Sequence, residues 1–152
     1  MLEGYEINNS TIAIISLKKG RSRIIEENDE FVVTKDSTEI INDSCKFFGS
    51  SYSGRFEGTK NLIGINYKAP IIIEESREII FFPTSSPRFQ NCNWICLKKI
   101  HNIEKDNKRT VLHFKNGSRL ILDVSYHSIE NQILRSTLLE SKIRNRRNEV
   151  FQ

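Results

Sequence analysis

Apolar and polar positions alternate in the first third of the chain, a pattern typical of strands. Residues 5–18 are rich in isoleucine, and two further apolar runs, at residues 24–25 and 31–34, each follow a polar turn. Period-two alternation between short turns predicts a small antiparallel meander. Residues 39–41 are expected to add a short strand segment.

Glycine and hydroxyl side chains dominate residues 43–64, which contain four glycines in 22 positions. Serine and aspartate are favoured helix N-caps, because their side-chain oxygens accept bonds from the first free N–H groups. The expected helices run from a cap at Asp43 or Ser44 to Phe48 and from a cap at Ser50 or Ser51 to about Lys60.

The second half of the chain returns to strand patterns. Strands are predicted at residues 71–74, 79–82, 94 to about 103, 110–114 and 119–124. The last two flank Asn116-Gly117, the pair best suited to the positive φ angles of a two-residue type I′ turn. Such a hairpin would set Phe114 opposite Arg119.

A long helix is predicted at the end of the chain. No glycine or proline follows Ser128, which can serve as its N-cap, and the helix is expected to reach about Asn145. Its apolar residues fall on two sides, with Ile129, Ile133 and Ile143 on one and Leu134 and Leu138 on the other. The second side either joins the same core or forms a dimer contact through Leu134 and Leu138.

These elements predict one α+β domain, mainly antiparallel β-sheet with short central helices and a C-terminal α-helix. The 152 residues, of which 38% are hydrophobic, suffice for one core. The domain is expected to span residues 1–145, followed by a basic C-terminal tail at 146–152. Arginines of this tail could contact an anion or favour the negative end of the helix dipole.

Several classes of protein lack support in the sequence. The longest apolar runs are far shorter than the roughly 20 residues of a membrane-spanning helix, and the N-terminus has no signal-peptide pattern. We therefore expect a cytoplasmic protein. Three cysteines make no disulfide framework and are expected to be buried thiols.

The sequence lacks the known motifs for catalysis, metal binding and cofactor binding. No nucleotide-binding glycine loop, zinc-site spacing or nucleophile elbow is present, so we expect no enzyme, cofactor or metal site. A hydrolase with Cys92 or Cys96 as its nucleophile would need a histidine nearby in the fold.

Charge is distributed unevenly along the chain. Residues 1–44 hold 5 basic and 9 acidic side chains, whereas residues 45–152 hold 18 basic and 10 acidic ones. The net charges of −4 and +8 make the longer part attractive to a polyanion, either nucleic acid or an anionic membrane. The alternative is that these charges are scattered over a solvated surface.

Residues 45–60 combine small residues, hydroxyl donors and cations, which together suit the tracking of phosphates. In this interpretation the donors are Ser50, Ser51 and Thr59, and the charges are Lys46, Arg55 and Lys60. The alternative is a glycine-rich connection between two parts of a sheet.

The same stretch resembles a known family. Its pattern Cys-Lys-Phe-Phe-Gly-Ser-Ser-Tyr-x-Gly-Arg-x-x-Gly-Thr at residues 45–59 is similar to the signature of the competence transcription factor (ComK) family. Further matches in the same order are Lys68-x-Pro70-Ile71, Phe81-Phe82-Pro83-Thr84, Trp94-Ile95, Phe114-x-Asn116-Gly117 and residues 124–135. The resemblance covers about residues 5–143.

The resemblance implies a transcriptional activator of genes for DNA uptake and recombination, which binds AT-rich promoter DNA mainly through the minor groove. It also implies self-association on DNA and no membrane partner. Narrow A·T minor grooves are electronegative and accept basic side chains. Arg55, Arg88 and Lys60 are candidates for insertion, and Lys46, Lys98, Lys99 and Arg135 are candidates for phosphate contact.

Two departures qualify the resemblance. Phe56 stands where a basic residue is expected, and residues 1–44 are acidic, so the alternative is a non-catalytic protein-interaction regulator of the same fold with weak or lost DNA binding. Longer members of the family continue into a C-terminal extension that serves adaptor-mediated proteolysis, whereas this sequence stops at Gln152. A proteolytic adaptor is therefore expected as a partner only if its binding does not require that extension.

Overall fold

Two antiparallel sheets carry the fold. A computed structural model describes residues 1–89 and 91–150. Its elements are β1 (Thr11–Leu17), β2 (Arg21–Glu26), β3 (Glu30–Val33), α1 (Ser37–Phe47), α2 (Tyr52–Ile63), β4 (Ile71–Glu74), β5 (Ile79–Pro83), β6 (Trp94–Cys96), a 3₁₀ helix (Leu97–Lys99), β7 (Ile100–Asp106), β8 (Arg109–Phe114), β9 (Arg119–Leu122) and α3 (Tyr126–Val150). The predicted α+β class, with mainly antiparallel sheet and a C-terminal helix, is confirmed.

The larger sheet has the strand order β3-β2-β1-β6-β5-β4, and the smaller sheet has the order β7-β8-β9. Strand pairing defines two ends of the larger sheet. Its upper end holds the β1–β2 turn, the β5–β6 loop and the segment before β4. Its lower end holds the segment before β1, the β4–β5 turn and the 3₁₀ helix.

Both faces of the larger sheet are covered. Helices α1 and α2 pack on one face, and the smaller sheet and α3 pack on the other. This double cover explains β5, in which every residue is buried. A strand covered on both faces has a continuous apolar run instead of alternation.

Helix α1 corrects the prediction for residues 37–48. The segment expected as a strand at residues 39–41 is helical, and the helix begins at Ser37 instead of after Asp43 or Ser44. Ile40, Ile41, Ser44 and Cys45 are its buried residues besides Ser37. Their spacing matches one face of a helix, which the short apolar run had concealed.

Helix α2 confirms one predicted cap. Ser51 has extended backbone angles and its side chain accepts a bond from the backbone N–H of Gly54 at 3.0 Å. The helix continues three residues beyond Lys60 to Ile63, and Gly64 then ends it with a φ of 72°. A left-handed residue after the last turn is the usual place for glycine.

The β8–β9 hairpin is real, but its predicted register is wrong by one residue. His113 pairs with Arg119, and Leu112 pairs with Leu120. Gly117 has a φ of 90° while Asn116 does not have a positive φ. The loop is therefore longer than a two-residue type I′ turn, in the manner of a turn that ends with a left-handed glycine.

The strand predicted from Trp94 to about Ile103 is two strands. The 3₁₀ helix at Leu97–Lys99 interrupts it, so that β6 belongs to the larger sheet and β7 to the smaller one. This helix carries the chain from one sheet to the other and places Lys98 and Lys99 at the lower end.

Helix α3 is longer than predicted at both ends. It begins at Tyr126, where Ser125 and not Ser128 supplies the capping oxygen, and it continues to Val150 instead of ending near Asn145. Ile129 and Ile143 are buried, whereas Leu134 and Leu138 are 64% and 45% exposed. The second apolar side is thus left uncovered within the described chain.

Arginines at the end of α3 hold the β4–β5 turn. Arg144 and Arg147 donate to the two carboxylate oxygens of Glu78 at 2.6 and 3.1 Å, and Arg146 bonds to Glu75 at 2.9 Å. Arg146 and Arg147, expected in a separate basic tail, are therefore part of the helix and paired with carboxylates. Hydrogen bonds from Arg144 and then Arg147 hold the pKa of Glu78 below its ordinary value of 4.5.

Replacing Glu78 with Gln is expected to lower the free energy of unfolding by about 1–2 kcal/mol at pH 7, because two charged hydrogen bonds are lost. A depressed native pKa means that the ionised carboxylate stabilises the fold above pH 4.5 and that this contribution is lost as pH falls below it. Urea denaturation across pH should show the gap between the two proteins closing on the acid side. The exposed Glu57→Gln is the control, and a gap independent of pH would contradict the assignment.

Candidate nucleic-acid interface

The predicted site residues of α1 and α2 have different environments. Lys46 and Lys60 are exposed in the last turns of their helices, and Ser50 lies half-buried between them. Thr59 is fully buried and donates to the carbonyl of Pro70 at 2.7 Å. Thr59 cannot reach a phosphate from this position, so its predicted role as a DNA donor is replaced by a structural one, and Ser51 is engaged as the α2 cap.

Arg55 lines a groove of about 510 Å³ that faces the β4–β5 turn. Its Nε is buried and has no hydrogen-bond partner in the described structure. The same groove is lined by Glu74 and Glu75 and by Arg146 and Arg147. Glu75 is paired with Arg146 there, and insertion of Arg55 into a minor groove stays a prediction.

Arg88 lies at the upper end of the larger sheet, in a separate groove of about 270 Å³. This groove is lined by Tyr52, Phe56, Asn66, Tyr67, Lys68, Ser86, Pro87 and Arg88. None of these described residues is acidic. Two exposed rings stand here, Phe89 with 61% and Tyr67 with 56% of its surface accessible.

We call Tyr67, Lys68, Arg88, Phe89 and Arg135 the basic loop surface. Arg135 on α3 donates to the backbone carbonyl of Tyr67 at 2.9 Å, and the ammonium of Lys68 lies 5.7 Å from the centre of the Tyr67 ring. Three cations and two exposed rings are thereby brought together from three separate parts of the chain.

Gln132 joins the segments that form the basic loop surface. Its side chain is buried, and its Nε2 donates both to the carbonyl of Lys68 at 2.9 Å and to the carbonyl of Pro83 at 2.7 Å. One amide therefore ties the segment before β4 and the end of β5 to α3. The position of the surface depends on this bridge.

Phe56, the residue that departs from the family pattern, is part of the same neighbourhood. Its ring packs against the core and stacks on Tyr52 with 6.2 Å between ring centres. The aromatic residue forms a wall of the Arg88 groove where a basic residue was expected. The β1–β2 turn adds two exposed cations, Lys18 and Lys19, to the upper end.

Lys98 and Lys99 lie at the lower end. Lys99 forms an ion pair with Glu27 at 2.7 Å, and Lys98 donates to the backbone carbonyl of Arg77. They line a groove of about 290 Å³ together with Asn8, Asn9, Glu27, Arg77, Ile79, Cys96 and Lys115. We call this the lysine groove. Arg88 and Arg135 thus lie at the upper end of the sheet, and Lys98 and Lys99 lie at the lower end.

Sequence reasoning missed several residues of these surfaces. Phe89 adjoins Arg88 in sequence and could have been included on that ground. Lys68 and Gln132 gain their positions from contacts between distant segments, which no local pattern reveals. Arg77 and Lys115 lie in turns, where a single cation is common and does not indicate a binding site.

The three cysteines offer no nucleophilic site. Cys45, Cys92 and Cys96 are free and buried, and burial raises the pKa of each thiol to about 11. A thiol in such surroundings is poorly reactive. In residues 1–89 and 91–150 no three histidine, cysteine or acidic side chains are placed to share a metal ion.

None of the helices described is both long and apolar enough to span a bilayer. This finding concerns only the residues whose structure is described.

Comparisons with known proteins agree with these observations. The family model described as "ComK protein" matches residues 2–148. The competence transcription factor of Bacillus subtilis (strain 168) is 39% identical over 151 residues, which cover 95% of this chain and 78% of that protein. No solved structure matches at a significant level. The chain belongs to the ComK family.

Proposed function

We propose that this protein is a transcriptional activator of competence genes that binds AT-rich promoter DNA, mainly through the minor groove. The relative from Bacillus subtilis is named a competence transcription factor, which supports the regulatory role. The observation that carries DNA binding is the basic loop surface, where Arg88 stands beside two exposed rings in a groove without described carboxylates. Promoter DNA is cytoplasmic in bacteria, so we place the activity there.

The chemistry of the basic loop surface suits a narrow minor groove. A·T tracts concentrate negative potential in that groove and attract an inserted arginine. Apolar side chains of minor-groove proteins enter between base steps and unstack them. Arg88 is our candidate for insertion, with Phe89 or Tyr67 as the wedge and Lys68 and Arg135 close to the backbone.

The other predicted residues take secondary places in this proposal. Lys46, Lys60 and Ser50 are accessible enough for contact with phosphates, and the exposed Lys18 and Lys19 extend the upper end. Phosphate contacts position a protein on DNA without specifying a sequence. These cations therefore contribute to affinity more than to the preference for AT-rich DNA.

A binding titration tests the function. The protein is expected to bind an AT-rich duplex more tightly than a GC-rich duplex of equal length, and the logarithm of its affinity should fall by about 0.9 per neutralised phosphate with the logarithm of salt concentration. A small molecule that occupies the A·T minor groove should compete with it. Equal affinity for both duplexes, unaffected by the competitor, would remove the minor-groove proposal.

Self-association on DNA is proposed through the uncovered side of α3. Leu134 and Ile133 border a groove of about 320 Å³ between α3 and β7, which Ile100, Ile103 and Tyr126 also line. Exposed leucines beside an apolar groove are suited to burial against a second copy. We propose Leu134 and Leu138 as the dimer contact.

Replacing both Leu134 and Leu138 with Asp is expected to shift the protein to monomer, because two charges would be buried in an apolar contact. Sedimentation with and without promoter DNA measures this shift. Asn28→Asp with Asn107→Asp is the control, since both residues are exposed on turns outside α3 and the pair adds the same two charges. An unchanged oligomeric state in the double variant would place the contact elsewhere.

A further inference from the structure

The lysine groove is a second basic surface, remote from the basic loop surface. Its cations come from turns and connections at the lower end of the larger sheet. Arg77 belongs to the β4–β5 turn, Lys98 and Lys99 to the 3₁₀ helix, and Lys115 to the β8–β9 turn. Four cations from both sheets therefore converge on one concavity.

The carboxylates near this groove do not cancel its charge. Four cations and one carboxylate line it, a net charge of +3. Glu27 is occupied by Lys99, and the nearby Glu78 is occupied by Arg144 and Arg147. In the described structure neither Lys98 nor Lys115 forms an ion pair with a carboxylate, whereas Arg77 forms an ion pair with Glu74 at 4.0 Å.

Neutral side chains complete the groove. Asn9 lines it beside the cations. The amide nitrogen of Asn8 already donates to the hydroxyl of Tyr5 at 3.2 Å, and that of Asn116 donates to the backbone carbonyl of Glu27 at 3.0 Å. Amide and ammonium groups around a concave surface are the groups that bind phosphate oxygens in protein–DNA complexes.

The two basic surfaces cannot serve the same few phosphates. The strands between the two ends of the sheet, such as the five residues of β5, separate them by roughly 15–20 Å at about 3.3 Å per residue. The loops at the two ends also project in opposite directions along the strands. A straight duplex that lies across the upper end, perpendicular to the strands, would therefore leave the lysine groove empty.

We propose that the lysine groove binds backbone phosphates of DNA that flanks the element engaged by the basic loop surface. This inference rests on the proposed function and adds a second contact to it. From this perpendicular orientation, flanking DNA reaches the lower end only if the duplex curves around the protein. AT-rich promoters are suited to this, since their flexible TA steps bend readily.

The test compares two duplexes that share one AT-rich element, one of about 15 base pairs and one of about 40, the longer being able to bend around the protein. The variant is Lys98→Gln with Lys115→Gln. The control is Lys105→Gln with Lys108→Gln, two exposed lysines at the end of β7 and on the β7–β8 turn. Both double variants remove the same charge. Thermal unfolding of each should match the parent protein.

The parent protein is expected to bind the longer duplex more tightly. The lysine-groove variant should lose about 5- to 30-fold in affinity on the longer duplex, and its salt slope should decrease by about 1.8, while its affinity for the short duplex stays within about twofold. The control variant should retain the preference for the longer duplex. Energy transfer between dyes at the two ends of the longer duplex should rise with the parent protein and less with the lysine-groove variant.

Three outcomes would overturn the inference. Equal losses of affinity on both duplexes would show that the groove is part of the primary contact. No loss of affinity on either duplex would show that the groove does not bind DNA. Binding of inorganic phosphate to the groove without any dependence on duplex length would assign it to a free phosphate ligand, which also overturns the proposal. Failure of the parent protein to bind either duplex would instead refute the proposed function itself.

Discussion

Replacing Arg88 with Ala is expected to weaken binding to an AT-rich duplex by about 10- to 100-fold, the effect of losing a side chain that contacts bases, worth about 1–3 kcal/mol. Arg88 is exposed, so the fold should be unaffected. The preference for AT-rich over GC-rich DNA should also decrease, because the inserted cation responds to the narrow groove of A·T tracts.

Titration of both duplexes with the purified variant measures this effect. Lys108→Ala is the control, since it removes one exposed cation that does not belong to the basic loop surface. Arg88→Lys should recover part of the affinity by restoring the charge. If Arg88→Ala and Lys108→Ala lose equal affinity and keep the same sequence preference, Arg88 contributes only general charge.

Replacing Gln132 with Leu is expected to lower the free energy of unfolding by about 2–4 kcal/mol. The carbonyls of Lys68 and Pro83 would lose their donor, and a buried polar group without a partner costs about 1–3 kcal/mol. DNA affinity should decrease as well, because the segment that carries Tyr67 and Lys68 would no longer be tied to the end of β5.

Urea denaturation and DNA titration of this variant separate the two effects, provided the titration is carried out where the protein is fully folded. Asn131→Leu is the matched control, since Asn131 is the adjacent and exposed amide. If Gln132→Leu kept full stability and normal DNA affinity, the hydrogen bonds of Gln132 would not be needed to position the basic loop surface.

Some features of the fold that depend on interactions between residues close in sequence were predicted correctly. Ser51 caps α2 because a serine oxygen satisfies a nearby N–H, and that interaction lies within four residues. The strand predicted at residues 39–41 was wrong because two apolar positions do not distinguish a strand from a helix. The hairpin register at Asn116-Gly117 was wrong because the length of the loop depends on how the strands pair beyond it.

The candidate site was predictable only in part for the same reason. Arg88 was identified from its loop, but the groove around it is assembled by Gln132 and Arg135 from α3, far away in sequence. Thr59 was selected for its hydroxyl, yet that hydroxyl bonds to Pro70 inside the protein. Residue type shows what a side chain can do, and the packing of distant segments decides whether it is available.

Because the thiols are buried, their rate of chemical labelling reports local opening of the structure. Cys45, Cys92 and Cys96 all belong to the core under α1 and α2, on one side of the larger sheet. At Cys45 and Cys92, a reagent that captures thiolates would therefore record events that lift these helices from the strands, whereas Cys96 also borders the lysine groove. Detachment of β7, β8 and β9 from the opposite side would escape it, so labelling rates would resolve the loosening of one layer from that of the other.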